Sequence, residues 1–176
     1  MIRFIHIPKN AGTTVGKMLS RNHIPHEIGY ATQPHTRHRF ARDFSDDLPS
    51  FAVVRNPYTR VVSWYEWIRR LPRYIDISFD DFVLNRVQRG RARLAWTPQT
   101  EWTHSADGHT RLVGTILRYE HLEQDLRKLF PHMGSKFLHL NHGGISDHWA
   151  YYTEQTRSAV AESFSEDFIN FGYDTK

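Results

Sequence analysis

The sequence contains no cysteine, which excludes a disulfide framework and catalysis by a thiolate. It also lacks long hydrophobic runs, because its apolar stretches are short and soon interrupted by charged residues or proline. None of them reaches the length of a membrane-spanning helix. The first seven residues include Arg3 and His6 and do not form the apolar core of a signal peptide. We therefore expect a cytoplasmic protein without a membrane partner.

The composition is that of a folded enzyme or binding protein. The chain has 176 residues, of which 39% are hydrophobic and 14% aromatic, which is enough for a sizeable core and argues against disorder. We predict one domain over residues 1–176. The formal charge of +4 suits an anionic ligand without identifying it. Residues 86–93 are the densest basic stretch. They could form a solvated surface or a site that attracts a polyanionic acceptor.

Short apolar runs alternate with amphipathic stretches along the chain. The runs predict strands at residues 4–7, 51–55, 115–118 and 136–140. The amphipathic stretches predict five helices. One is capped by Thr13 or Thr14, one begins at Ser78, and the other three span residues 57–71, 121–130 and 154–164. Residues 23–47 and 90–114 show little periodicity and are predicted to be irregular. This alternation indicates an α/β fold: a three-layer P-loop-like domain with a central parallel sheet flanked by helices.

The stretch FIHIPKNAGTTVGKML, residues 4–19, reads as a strand, a tight loop and a helix. Such a loop gathers backbone N–H groups at the positive end of a helix, where phosphate or sulfate binds well. Gly12 allows the backbone to approach the ligand closely, Thr13 and Thr14 add hydroxyl donors, and Lys9 adds a positive charge. The lysine precedes the glycine, unlike in the G-x-x-x-x-G-K-[ST] loop of ATP- and GTP-binding proteins.

The second predicted strand ends in Arg55, where a P-loop NTPase has an aspartate that holds Mg²⁺. An arginine at the carboxyl end of a parallel strand points positive charge into the crevice where α/β proteins bind ligands. Ser63 follows just over two helical turns later and could face the same anion. These features describe a nucleotide site with two anionic ends, in which cationic side chains replace a metal ion.

The motifs HIPKNAGTTV and VVRNPYTRVVSWY resemble those of the PAPS-dependent sulfotransferases, in the branch that contains carbohydrate O-sulfotransferases and small bacterial and viral relatives. Weaker resemblance extends to residues 117–120 and 167–173. The resemblance implies PAPS as cofactor, PAP as product and no required metal. It assigns the 5′-phosphosulfate to Lys9, Asn10, Ala11, Gly12, Thr13 and Thr14, and the 3′-phosphate to Arg55 and Ser63. The chain is much shorter than the Golgi enzymes, so their glycan substrates do not carry over to it. The predicted acceptor is a hydroxyl of a small molecule or a saccharide.

Sulfuryl transfer to a hydroxyl requires a base for the acceptor's proton and positive charge near the leaving phosphate. Lys9 fits the second role, and histidine is the side chain best matched to the first near neutral pH. Small relatives carry a histidine roughly twenty residues before the 3′-phosphate arginine, which corresponds to His35. His38 is the second candidate and Glu27 the third.

Three other interpretations remain open at this level. A metal-dependent nucleotide or nucleoside kinase would also be α/β, but the chain lacks the G-K-[ST] motif and the strand-end aspartate. A nucleic-acid binder could use the basic stretches, although no recognised motif is present and we predict no nucleic-acid partner. A sulfotransferase that binds PAP without turnover is the third. His139, His142 and His148 could suggest a metal site, but three histidines in a loop are commonly polar surface and no cysteine is present to join them. Trp64 and Tyr65 are predicted to be core residues.

Overall fold

The structure is a computed structural model that describes residues 1–28, 39–85, 94–134, 136–138 and 147–175. The chain forms two compact units. Unit 1 comprises Met1–Arg55 and Gln99–Asn141, and unit 2 comprises Asn56–Pro98 and His142–Lys176. Two compact units can belong to one domain, so the single domain predicted over residues 1–176 stays a prediction. No described helix is both long and apolar enough to cross a membrane.

Unit 1 contains a parallel sheet of four strands, which are β1 Ile2–Ile5, β2 His26–Ile28, β3 Ser50–Val54 and β4 Thr115–Arg118. The strand order is β2-β1-β3-β4, and every neighbouring pair is parallel. The strand that follows β1 in the chain, β2, pairs with one edge of β1, and the next strand, β3, pairs with its other edge. The carboxyl ends of β1 and β3 flank the topological switch point, which is where open α/β sheets bind ligands.

The described residues contain seven α-helices: α1 Gly12–Arg21, α2 Pro57–Ile68, α3 Phe79–Leu84, α4 Gln99–Thr103, α5 Leu122–Leu129, α6 Glu154–Ser163 and α7 Ser165–Phe171. In unit 1, α1 and α5 pack on the sheet. Met18 of α1 and Leu126 of α5 share one buried cluster with Phe4 and Phe51 of the strands. This cluster fixes the direction in which α1 leaves the loop after β1.

Unit 2 has its own core, which is built on α2. Asn56 caps this helix by accepting a hydrogen bond from the N–H of Tyr58, and Pro57 occupies the first helical position, as the sequence predicts. Trp64 and Tyr65 are buried among aromatic residues of the same unit, which confirms that they are core residues. Ser78 caps α3, as predicted.

The fold class is confirmed: the protein is α/β, with a central parallel sheet flanked by helices. The strand predicted at residues 115–118 is correct, whereas β1 and β3 begin and end earlier than predicted. Helix α2 was predicted to reach Leu71 but ends at Ile68, because the chain turns before Pro72. The helix predicted at residues 154–164 ends at Ser163, and a separate helix, α7, follows it.

Three other predictions were wrong. Residues 23–47 include the short strand β2, whose three residues are all half-buried and give no alternating pattern. Residues 90–114 include α4 and an antiparallel bridge between His104 and Arg111. Residues 136–138 form no strand, and the remainder of the strand predicted at residues 136–140 lies outside the described residues.

Candidate active site

The loop between β1 and α1 has an unusual backbone. Lys9 (φ 69°) and Ala11 (φ 60°) both adopt positive φ values, which are uncommon for residues with a side chain and cluster at functional sites. The N–H of Asn10 donates to the carbonyl oxygen of Ile7 at 3.4 Å, which closes a tight turn directly after the strand. The loop therefore reverses direction within a few residues and delivers the chain into α1.

Helix α1 begins without a side-chain cap. Ala11 is the N-cap residue, in the left-handed conformation, and no side chain accepts from the first turn; the predicted cap at Thr13 or Thr14 is therefore wrong. These threonines lie within the first turn, Thr13 exposed and Thr14 buried. The N–H of Val15 makes the first intrahelical bond, to Ala11 at 3.0 Å. The helix N-terminus thus offers N–H groups and a positive dipole to an anion.

A neighbouring side chain fills the space beside Gly12. A β-carbon on Gly12 would lie 1.7 Å from Nε2 of His6, so the imidazole ring occupies the space that any larger residue would need. The ring of His6 also stacks on Phe4, with centroids 5.6 Å apart. The sequence analysis attributed this glycine to close approach of a ligand, and the packing of His6 gives a second reason for it.

A buried hydrogen-bond network joins the loop to the end of β3. The side-chain Nδ2 of Asn10 donates to the carbonyl oxygen of Val53 at 2.8 Å and to Oε1 of Gln99 at 2.6 Å. Oε1 of Gln99 also accepts from the N–H of Arg55 at 2.8 Å, and its Nε2 donates to the carbonyl oxygen of Arg55 at 2.8 Å. Gln99 was not predicted as a site residue, because no motif in the sequence links it to the others; only Pro98 before it indicates a helix start.

Lys9 and Arg55, which the sequence assigns to two separate motifs, lie next to each other in unit 1. Nη1 of Arg55 donates to the carbonyl oxygen of Lys9 at 3.3 Å, and the guanidinium carbon lies 4.0 Å from the ring centre of Tyr119. Lys9 and Arg55 are both half-buried. Two cationic residues thus lie together at the switch point between β1 and β3, and their binding of an anion stays a prediction.

Three further predicted site residues are Ser63, His35 and His38. Ser63 belongs to unit 2, where it is half-buried on α2, and its contact with the 3′-phosphate stays a prediction. His35 and His38 fall outside the described residues, so the assignment of the base also stays a prediction.

A cavity of about 820 Å³ lies within unit 1, beside α1. Its walls come from β1, α1, β2 and the segment after residue 38, and they consist of Arg3, His6, Gly12, Thr13, Gly16, Lys17, Ser20, His26, Glu27, Ile28, Arg39, Phe44 and Asp46. The third candidate for the base, Glu27, is therefore a cavity residue. Since Gly12 and Thr13 also form the start of α1, the cavity adjoins the N-terminal end of that helix.

Three residues that line this cavity form ion pairs with one another. The buried Arg3 makes two hydrogen bonds to Asp46, at 2.7 and 2.8 Å, and a third to Glu27. Its hydrogen bonds hold the pKa of the Asp46 carboxyl below its ordinary value. Lys17 and Arg39 have no carboxylate partner among the described residues. The cavity is therefore lined by three cationic side chains and two carboxylates, and this positive excess favours an anionic ligand.

Comparison with known proteins identifies the family. The family model described as "Sulfotransferase family" matches residues 1–174. The chain belongs to the sulfotransferase family. It is also 29% identical, over 98 residues, to an uncharacterized protein of Archaeoglobus fulgidus, an alignment that covers 56% of this chain and 78% of the relative. No solved structure matches the chain.

Family membership makes this protein a transferase that moves sulfuryl groups. The cationic loop and Arg55 agree with that chemistry, because a sulfuryl donor and its leaving group are anionic. The described residues contain no group of three potential metal ligands. His148 is one of the described residues, whereas His139 and His142 fall outside them.

Proposed function

We propose that this sulfotransferase moves the sulfuryl group of PAPS to a hydroxyl of a small-molecule or saccharide acceptor. The observation that carries the proposal is the meeting of Lys9 and Arg55 at the switch point of the sheet, where Nη1 of Arg55 lies 3.3 Å from the carbonyl oxygen of Lys9. PAPS carries two anionic groups on its ribose, a phosphosulfate on the 5′ oxygen and a phosphate on the 3′ oxygen. Cationic groups contributed by two neighbouring strand ends suit a ligand of that kind.

The groups of the site fit an anionic nucleotide. Residues 8–14 and Arg55 include no acidic side chain, and they offer an ammonium, a guanidinium, the hydroxyl of Thr13 and the N–H groups at the start of α1. All of these are hydrogen-bond donors to phosphate or sulfate oxygens. Lys9, Thr13 and Thr14, with the backbone N–H groups of residues 11 and 12, would hold the phosphosulfate. Arg55, together with Ser63, would hold the 3′-phosphate.

When bound, PAPS supplies the sulfuryl group and a phosphate leaving group. The ammonium of Lys9 stabilises negative charge on phosphate oxygens, so this protein needs no metal ion at the position where kinases use Mg²⁺. His35, or His38 in its place, accepts the proton of the acceptor hydroxyl. The cavity beside Gly12 and Thr13 is the proposed acceptor pocket, because it adjoins the helix end that would hold the phosphosulfate.

The decisive experiment is transfer of labelled sulfate from PAPS to a panel of phenols, glycans, lipids and amines. We expect labelled product from at least one hydroxyl acceptor, with equal yield in the presence of EDTA and little product from the Lys9→Ala variant. A parallel reaction with labelled ATP and Mg²⁺ tests the kinase alternative. Phosphoryl transfer from ATP, with no sulfate transferred to any acceptor, would overturn the proposal.

A further inference from the structure

Gln99 lies at the centre of the network that joins the two cationic motifs. It opens α4 and is completely buried. Its side-chain amide makes three hydrogen bonds, one to Asn10 and two to the backbone of Arg55, all between 2.6 and 2.8 Å. A buried amide that is used this fully has one orientation only, because a flipped amide would place donors against donors.

Asn10 acts through the same network. Both hydrogens of its side-chain nitrogen are used, one by Val53 and one by Gln99, and its backbone N–H donates to Ile7. Asn10 is also buried, with 1% of its surface exposed. This asparagine therefore has no donor left for a phosphate or sulfate oxygen. Its hydrogen bonds act on the loop itself, between Lys9 and Ala11, whose positive φ values need support from their surroundings.

Arg55 is held by its backbone and acts through its side chain. Gln99 binds both its N–H and its carbonyl oxygen, at the point where the chain leaves β3 and has no further strand partner. The guanidinium group extends from this fixed backbone towards Lys9 and Tyr119. The position of the charged group thus depends on the hydrogen bonds that Gln99 makes behind it.

We propose that Gln99, together with Asn10, is a positioning residue for the nucleotide: it holds the Lys9 loop and Arg55 at the separation that the two anionic ends of the donor require. The proposal rests on the proposed function. Binding of a doubly anionic ligand by two cationic groups depends on their spacing, so a loose loop weakens binding without removing either charge. Gln99 itself touches neither the donor nor the acceptor.

The test compares Gln99→Met with Gln124→Met, which changes an exposed glutamine on α5. Methionine has a similar length but can neither donate nor accept as the amide does. We expect Gln99→Met to raise the KM for PAPS and the Kd for PAP by about tenfold, with little change in kcat or in the KM for the acceptor. The Gln124→Met variant should match the wild type.

A raised KM for PAPS with an unchanged kcat distinguishes a positioning role from a role in stability alone. A variant that is only less stable loses folded enzyme, which lowers the apparent kcat and leaves the KM for PAPS unchanged. Such a result overturns the proposal, as does a variant that binds PAP as tightly as the wild type. If Gln99→Met does not fold, Asn10→Ala provides the same test, because it breaks the network at its other end.

Two further measurements complete the test. If Gln99 acts with Asn10, the double variant should show about the same KM as either single variant, whereas independent roles would multiply the two effects. In the protein without nucleotide, Gln99→Met should speed hydrogen exchange of the Arg55 N–H, and unchanged exchange contradicts the proposal. Failure of the wild type to bind PAP would instead overturn the proposed function, so the two failures are distinguishable.

Discussion

The imidazole of His6 fills the space beside Gly12, where a β-carbon would lie 1.7 Å from Nε2. The loop that contains Lys9 is therefore packed against a side chain that directly follows β1. Gly12→Ala must displace that ring or shift the start of α1, so we expect a loss of about 1–3 kcal/mol in the free energy of unfolding and weaker PAP binding. Thermal unfolding and calorimetric titration measure the two effects.

A second substitution checks that the ring is the cause. The double variant Gly12→Ala with His6→Ala removes the clash, and we expect it to be more stable than Gly12→Ala alone. If the double variant is as unstable as the sum of the single variants, the contact between His6 and Gly12 does not explain the glycine.

Ala11 offers a stabilising substitution. Its left-handed conformation (φ 60°, ψ 22°) costs an L-residue about 1–2 kcal/mol, which glycine avoids at an entropic cost of about 0.5–1 kcal/mol. We expect Ala11→Gly to raise the unfolding temperature by about 2 °C. Ala159→Gly, inside α6, is the control and should lower it. A lower unfolding temperature for Ala11→Gly would contradict the left-handed cap.

The ion pair of Arg3 with Asp46 predicts a pH-dependent stability. Hydrogen bonds from Arg3 lower the pKa of Asp46 in the folded state from its ordinary 3.8. A carboxyl with a lowered pKa stabilises the fold above its ordinary value, and this contribution disappears as pH falls through the folded value. Asp46→Asn should therefore unfold at a lower temperature than the wild type at pH 7, and the difference should shrink below pH 3.8. The exposed neighbour Asp47 provides the control, Asp47→Asn; a difference for Asp46→Asn that is constant down to pH 2 contradicts the assignment.

The proposed base is tested separately from the nucleotide site. His35→Ala should keep PAP binding and lose transfer by a factor of about 10²–10⁴, because it removes the proton acceptor and leaves Lys9 and Arg55 in place. His132→Ala, which changes an exposed histidine after α5, should retain full activity. Activity retained by His35→Ala would move the role to His38, which the same assay on His38→Ala examines.

The sequence predicted the fold class and most of the cationic site, because those features have local signals. A strand, a tight loop and a helix are visible in residues 4–19, and Asn56-Pro57 marks the start of α2. What the sequence missed depends on contacts between distant residues. Gln99 reaches Asn10 and Arg55 only after the sheet has formed, and β2 is a strand only because β1 pairs with it. The αL cap at Ala11 was missed because the adjacent threonines match the usual cap pattern better.

The central claim is that Lys9 and Arg55 bind a sulfated or phosphorylated nucleotide without a metal ion. The most direct measurement is the unfolding temperature with PAP, without Mg²⁺, for the wild type, Lys9→Ala, Arg55→Ala and the exposed control Lys128→Ala. We predict that PAP raises the unfolding temperature of the wild type and of Lys128→Ala, and that either site substitution abolishes the shift. A wild type that does not respond to PAP but is stabilised by ATP with Mg²⁺ would contradict the claim.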